Sequence, residues 1–166
     1  MKVREVVAED FEAVAALLNP VIRDTAIHFG TVPVTAAELR EEWAAAGPRY
    51  PYLVAEIDGV FAGFAKAGAW RSRAAYAWTA ETGIYVDPAF HRQGVGRTLY
   101  RALFDACRAR GLVMLVAGIA LPNDASVALH EAVGFVPVGV FHRCGLKFGR
   151  YHDVGFWELA LDGEAG

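Results

Sequence analysis

Residues 87–111 read DPAFHRQGVGRTLYRALFDACRARG, and the rest of the architecture is organised around them. Asp87-Pro88 ends an apolar run, because the residue before a proline is pushed towards extended backbone. Leu99, Leu103 and Ala106/Cys107 then recur at helical spacing, so a helix with one buried face follows. Between strand and helix lies Arg92-Gln93-Gly94-Val95-Gly96-Arg97. Two residues without a Cβ let backbone amides approach a ligand, and the first N–H groups of a helix have no partner within it. Such amides favour an anion, and Arg92 and Arg97 add fixed positive charge. The turn has the form of a phosphate cradle. It is not a Walker A loop, since no Gly-Lys-Ser/Thr follows, nor a dinucleotide fingerprint, since Leu99 stands where a third glycine would. An ordinary strand–helix turn is the other reading of the same six residues.

The chain around this turn has 166 residues, 55% apolar and 21% charged, which predicts one globular domain over residues 1–166. A net charge of -3 gives no general pull towards nucleic acid, so an anion site must be local. The opening MKVREVVAEDF lacks the apolar stretch of a secretion signal and no window approaches a membrane span, which predicts a cytoplasmic protein. Cys107 and Cys144 fit neither a disulfide framework nor a metal-ligand spacing, and no metal is expected.

Strand and helix patterns alternate along the chain. MKVREVV reads as a strand, and EDFEAVAALLNPVI as a helix that weakens at Pro20. Thr35 and Glu38 form a Thr-x-x-Glu capping box that opens a helix ending at Gly47-Pro48. YLVAEIDGVFAGFAKAG reads as two strands turning at Asp58-Gly59, and YAWTAETGIYV as a further strand. After the central helix come a strand LVMLVAGI, a short helix over residues 124–133, and two paired strands, FVPVGVFHRCGLKF and YHDVGFWELAL. Helices interleaved with a mixed, mostly antiparallel sheet define an α+β fold.

Three groups of residues are candidates for chemistry. Glu81 lies among Trp78, Thr79 and Tyr85 in the strand before the cradle; such a carboxylate is either a tuned proton acceptor or an arginine's partner. Asn123, Ser126 and His130 share a face of the short helix, where Asn123 suits an N-cap and His130 is an acid, a base or a satisfied structural histidine. In WRSRAAY, Arg71 and Arg73 suit a bidentate clamp on a carboxylate, with Tyr76 as a further donor; the alternative is a pair of solvated loop arginines.

Residues 86–99, VDPAFHRQGVGRTL, followed by GIALPNDASVALHEAVGF, resemble the GCN5-related N-acetyltransferases. RYPYLVAEIDG, AGAWRSRAAYAWTAETGIYV, PNDASVALHEAVGF and GLKFGRYHDVGFWELAL narrow the likeness to the phosphinothricin and methionine sulfoximine N-acetyltransferase branch, from about Val3 to Leu161. The resemblance implies the GNAT fold, with acetyl-CoA as co-substrate on residues 92–97, its pantetheine along Ile84, Tyr85 and Val86, and contacts from Asn123 and Ser126. It makes Glu81 the base and puts His130 where the wider superfamily has a tyrosine. It places Phe29, Arg71, Arg73, Ala74, Ala75 and Tyr76 around a small amino-acid-like acceptor. It also implies a homodimer, for which adjacent Phe156 and Trp157 supply an aromatic surface. Other acetyltransferases, acting on a different small amine or a protein N-terminus, and a non-catalytic acyl-CoA-binding module remain as alternatives.

Overall fold

Turn chemistry and period-two alternation build the first half of the sheet. The computed structural model describes residues 1–161. β1 (Lys2–Glu5) pairs antiparallel with β2 (Tyr52–Ile57), which turns at Asp58 and Gly59 into β3 (Val60–Ala69). Both turn residues have positive φ, 51° and 80°, as a tight hairpin requires. α1 (Phe11–Asp24) and α2 (Ala36–Ala46) fill the connection between β1 and β2. In α2 the capping box forms: Glu38 N–H donates to Thr35 Oγ1 at 3.2 Å, and Thr35 N–H to Glu38 Oε2 at 2.8 Å. α1 does not stop at Pro20 but continues to Asp24, because Ile22, 1% exposed, still packs on the sheet beyond the proline.

β4 (Thr79–Val86) pairs antiparallel with β3. It begins later than the expected strand: residues 74–76 form a 3₁₀ turn, and their exposed side chains offer no buried face to hold a strand. α3 (Val95–Ala109) crosses back to β5 (Met114–Leu121), and α4 (Asp124–Ala132) precedes the hairpin of β6 (Val136–Lys147) and β7 (Arg150–Ala160). The seven strands lie in the order β1-β2-β3-β4-β5-β7-β6. Of the six neighbouring pairs only β4–β5 is parallel among the described residues, as the α+β expectation requires.

Alternation gives each sheet face its own core. Tyr52, Val54 and Phe64 face α1 and α2, while Leu53, Ala55, Ala65 and Ala80 face α3. α3 buries Leu99, Tyr100, Leu103, Phe104 and Cys107 there. Alanines beneath it let the helix sit close to the strands, so its N-terminus is fixed relative to the end of β4.

Candidate active site

The parallel pair is short. β4 and β5 are in register only from Thr79↔Met114 to Glu81↔Val116, although both strands run five residues further, to Val86 and Leu121. Beyond Glu81 they part, and the edge of β4 that faces β5 has its backbone groups free of strand partners. The opening is a cleft of about 1370 Å³, lined on one side by Thr82, Ile84, Tyr85 and Val86 and on the other by Gly118, Ile119 and Asn123.

Helix α3 points its N-terminus into the mouth of this cleft. Thr35 and Asn123 cap α2 and α4, but among the described residues no side chain caps α3. The amides of Val95, Gly96 and Arg97 precede the first intrahelical bond, Thr98 N–H to Gly94 O at 3.0 Å. Arg92, Gly94, Val95, Gly96 and Arg97 line the cleft. These amides suit an anion such as a phosphate. The two glycines serve different ends. Gly94 adopts φ 81°, which disfavours a side chain, whereas a Cβ on Gly96 would lie 2.9 Å from Leu129 Cδ2 of α4. Gly96 therefore lets α3 and α4 close together, a packing reason the sequence pattern did not reveal. Gln93 turns away from the cleft lining and donates to Ala89 O at 3.2 Å, which braces the turn.

Glu81 stands where β4 and β5 part. Its carboxylate opens to the cleft, opposite Gly118: a Cβ there would lie 3.5 Å from Glu81 Oε1 and 3.2 Å from Phe156. Glu81 is exposed to the cleft, and the partial burial of its carboxylate pushes it above the usual carboxylate range, against the opposing pull of Arg71 and Lys66. A carboxylate so tuned accepts a proton more readily than an ordinary surface one. Trp70, stacked edge-on against Phe156 with centroids 5.8 Å apart, and Phe141, 5.4 Å from Phe156, form an aromatic group on this side of Gly118.

His130 is 3% exposed and has a partner at each ring nitrogen. A carbonyl only accepts, so Nδ1–H donates to Ser126 O at 2.7 Å; in the neutral ring Nε2 then accepts from Tyr100 O–H at 2.6 Å. Burial pushes His130 below the usual histidine range, the Ser126 bond opposing it in part, so the neutral form prevails. Tyr100 OH also lies 3.4 Å from Thr82 Oγ1, joining α4, α3 and β4 through one buried polar chain. Asn123 caps α4 as expected, accepting from Ser126 N–H at 3.2 Å. Tyr100 was not a candidate from sequence: at helical spacing it reads as core.

On the other side of Glu81 the structure separates the expected acceptor residues. Arg71 stacks on Trp70, its guanidinium 4.7 Å from the ring centroid, and its charge reaches Glu81. Arg73, Ala74, Ala75 and Tyr76 form the exposed 3₁₀ turn; like Arg71 they lie outside the cleft lining, but of the five only Arg71 acts on Glu81 by its charge. Phe29 also lies away from it, against Gly145 of β6 and 6.1 Å from the His152 ring. The segment around Phe29 is held by a residue the sequence did not single out. Lys147 is 5% exposed and donates to Ile22 O at 2.5 Å and His28 O at 2.6 Å, tying the end of α1 and the following loop to the β6–β7 hairpin.

Comparison with known proteins gives this framework its class. Residues 19–135 match the Acetyltransferase (GNAT) family, and the chain belongs to that family: it is an acyltransferase with the GNAT fold. It is 43% identical over 158 residues to the phosphinothricin N-acetyltransferase of Streptomyces viridochromogenes, covering 95% of this chain and 86% of the relative. It is 42% identical over 116 residues to the L-methionine sulfoximine/L-methionine sulfone acetyltransferase of Salmonella typhimurium, covering 70% and 68%. In structure it is similar to the Salmonella typhimurium acetyltransferase yncA, solved with its cofactor acetyl-CoA, with a TM-score of 0.93, 34% identity and coverage of 99% and 96%.

Proposed function

We propose that this enzyme moves the acetyl group of acetyl-CoA to the α-amine of a small amino-acid-like acceptor, of the phosphinothricin or methionine sulfoximine/sulfone kind. The observation that carries the proposal is the position of Glu81 where β4 and β5 part, with the uncapped end of α3 at the mouth of the same cleft. Acetyl-CoA supplies an activated thioester acetyl group. The amides of residues 95–97, with Arg92 and Arg97, hold its pyrophosphate, and the edge of β4 not paired with β5, at Ile84, Tyr85 and Val86, offers backbone partners to the pantetheine amides, Val86 O being already bonded to His91 Nε2 at 3.0 Å.

An α-amine is an ammonium ion at neutral pH and must lose a proton before it attacks a thioester. Glu81 takes that proton, directly or through water, and its raised affinity for protons suits the task. Arg71, next to Trp70, holds the acceptor's carboxylate. His130 has no ring proton directed at the cleft, since Nδ1–H is held by Ser126 and Nε2 by the Tyr100 hydroxyl. Its part is to fix α4 and Tyr100 behind the reacting atoms. The reaction is tested by following CoA release with phosphinothricin, methionine sulfone and a peptide with a free N-terminus. The amino acids react and the peptide, lacking a carboxylate beside its amine, does not; turnover of the peptide alone overturns the acceptor class.

We also propose that the enzyme is a homodimer, although the surface differs from the one the sequence suggests. Trp157 is buried and donates to Glu131 Oε1 at 3.1 Å, and Phe156 packs between Trp70 and Phe141. The apolar surface instead belongs to the edge strand β6, where Val136, Val138, Val140, Phe141 and Leu146 are exposed. An exposed apolar edge strand is a template for pairing with another chain. Light scattering at micromolar concentration gives twice the chain mass of 18.0 kDa; the mass of one chain overturns the dimer.

A further inference from the structure

Lys66 is a half-buried cation outside the cleft lining, on the sheet face of the proposed base, and among the described residues it has no oxygen partner. It lies on β3 opposite Gly83 of β4, while Glu81 lies opposite Gly68, so Lys66 and Glu81 are diagonal neighbours on one sheet face. Such neighbours are about 7–8 Å apart, within reach of a long side chain. The Lys66 stem passes over Gly83, where a Cβ would lie 3.9 Å from its Cγ, and its ammonium stands 5.8 Å from the centroid of the Tyr52 ring. The His28 and Glu81 side chains both feel its charge. Among the described residues no carboxylate or carbonyl takes its protons, whereas buried Lys147 nearby satisfies two carbonyls. Beneath it the Tyr52 hydroxyl is buried and likewise unpartnered.

The order along the β3–β4 ladder is what gives this cation a purpose. Lys66 sits two residues before Gly68, and Arg71 follows where the ladder ends at Ala69↔Ala80. Glu81 therefore stands between two cations. In an α-amino acid the amine likewise stands between the carboxylate on one side and the end of the side chain on the other. With the amine at Glu81 and the carboxylate at Arg71, the side chain extends towards Lys66.

We propose that Lys66 sets acceptor specificity by charge: it receives an oxyanion at the end of the acceptor's side chain, and so selects a phosphinate-bearing amino acid over neutral sulfones and sulfoximines. The inference rests on the acceptor class proposed above and deepens it. A half-buried cation held by cation–π contact with Tyr52, with no oxygen partner among the described residues, gains most from an anionic partner and little from a neutral one.

The test compares phosphinothricin and methionine sulfone as acceptors for the native chain, Lys66→Met and Lys66→Arg, with each acceptor's Kd measured by calorimetry beside its KM and kcat. The native enzyme prefers phosphinothricin. Lys66→Met lowers the phosphinothricin-to-sulfone ratio of kcat/KM about tenfold, the scale of a lost charge-assisted hydrogen bond, through the KM and Kd of phosphinothricin. Lys66→Arg restores most of the ratio. Unchanged acetyl-CoA affinity shows that each variant is folded. If Lys66→Met leaves the ratio where it was, or weakens both acceptors alike, Lys66 does not read charge and the inference falls while the acceptor class stands. If the native enzyme acetylates neither amino acid, the acceptor class falls and takes this inference with it.

Discussion

Glu81→Gln lowers turnover by roughly 10²–10⁴-fold at pH 7, the usual scale for loss of general-base help, and leaves acetyl-CoA affinity close to that of the native enzyme. The amide keeps the size and hydrogen-bonding capacity of the carboxylate but cannot take the ammonium proton. Part of the loss returns at high pH, where more of the acceptor amine is already neutral. The native enzyme carries the complementary signature. Because desolvation raises the Glu81 pKa, its activity falls on acidification through that raised value, at a higher pH than an ordinary carboxylate would give. In Glu81→Gln this acid limb is lost. His130→Phe, which breaks the Tyr100 and Ser126 bonds but removes no cleft-facing proton, costs less than Glu81→Gln. Near-normal turnover of Glu81→Gln at pH 7 removes the carboxylate from the mechanism; a larger loss in His130→Phe moves the base to the histidine.

Arg71→Ala raises the acceptor's KM by roughly ten- to a hundredfold, corresponding to about 1.5–3 kcal/mol for a charge-assisted bond to a carboxylate. Acetyl-CoA binding is unaffected, since Arg71 lies outside the cleft lining and reaches Glu81 only by its charge. The same change removes one of the two cations that oppose desolvation at Glu81, so the acid limb of kcat/KM moves to higher pH. Arg73→Ala is the control: its side chain belongs to the exposed turn, and it shifts KM less. If the amide of the amino acid reacts as well as the free acid, or if Arg71→Ala handles the acceptor normally, the carboxylate clamp is wrong.

Local signals account for what was readable in advance. Asp58-Gly59, the Thr35/Glu38 box and the apolar spacing of α3 each act over a few residues, and each element stands where its signal lies. The α+β architecture followed from their order, and the family from motifs spread along the chain. Features set by distant packing were not readable. Pro20 signals a weakening in a helix expected to reach Ile22, but burial of Ile22 keeps α1 intact through the proline and on to Asp24. Gly96 looks like Gly94 in sequence, and only the approach of α4 shows that it serves a helix–helix contact. Sequence leaves His130 as acid, base or satisfied structural histidine, and the partner on its second nitrogen, Tyr100, lies thirty residues away on another helix. No sequence signal singles out Lys66 or Lys147; one is turned over Gly83 on the sheet face of Glu81, and the other is buried at the end of α1.

The short parallel register of β4 and β5 also bears on endurance. The sheet amounts to two antiparallel blocks, β1 to β4 and β5 to β6, joined along a seam of three residue pairs and backed by α3. That seam is the shortest paired register in the sheet among the described residues, and it ends where the cleft begins. A molecule lodged between the two strands bridges the blocks that the backbone leaves apart, and by mass action it stabilises the folded chain. Resistance to heat and denaturant is therefore tied to occupancy: the enzyme is most robust when charged with its donor and most fragile when idle.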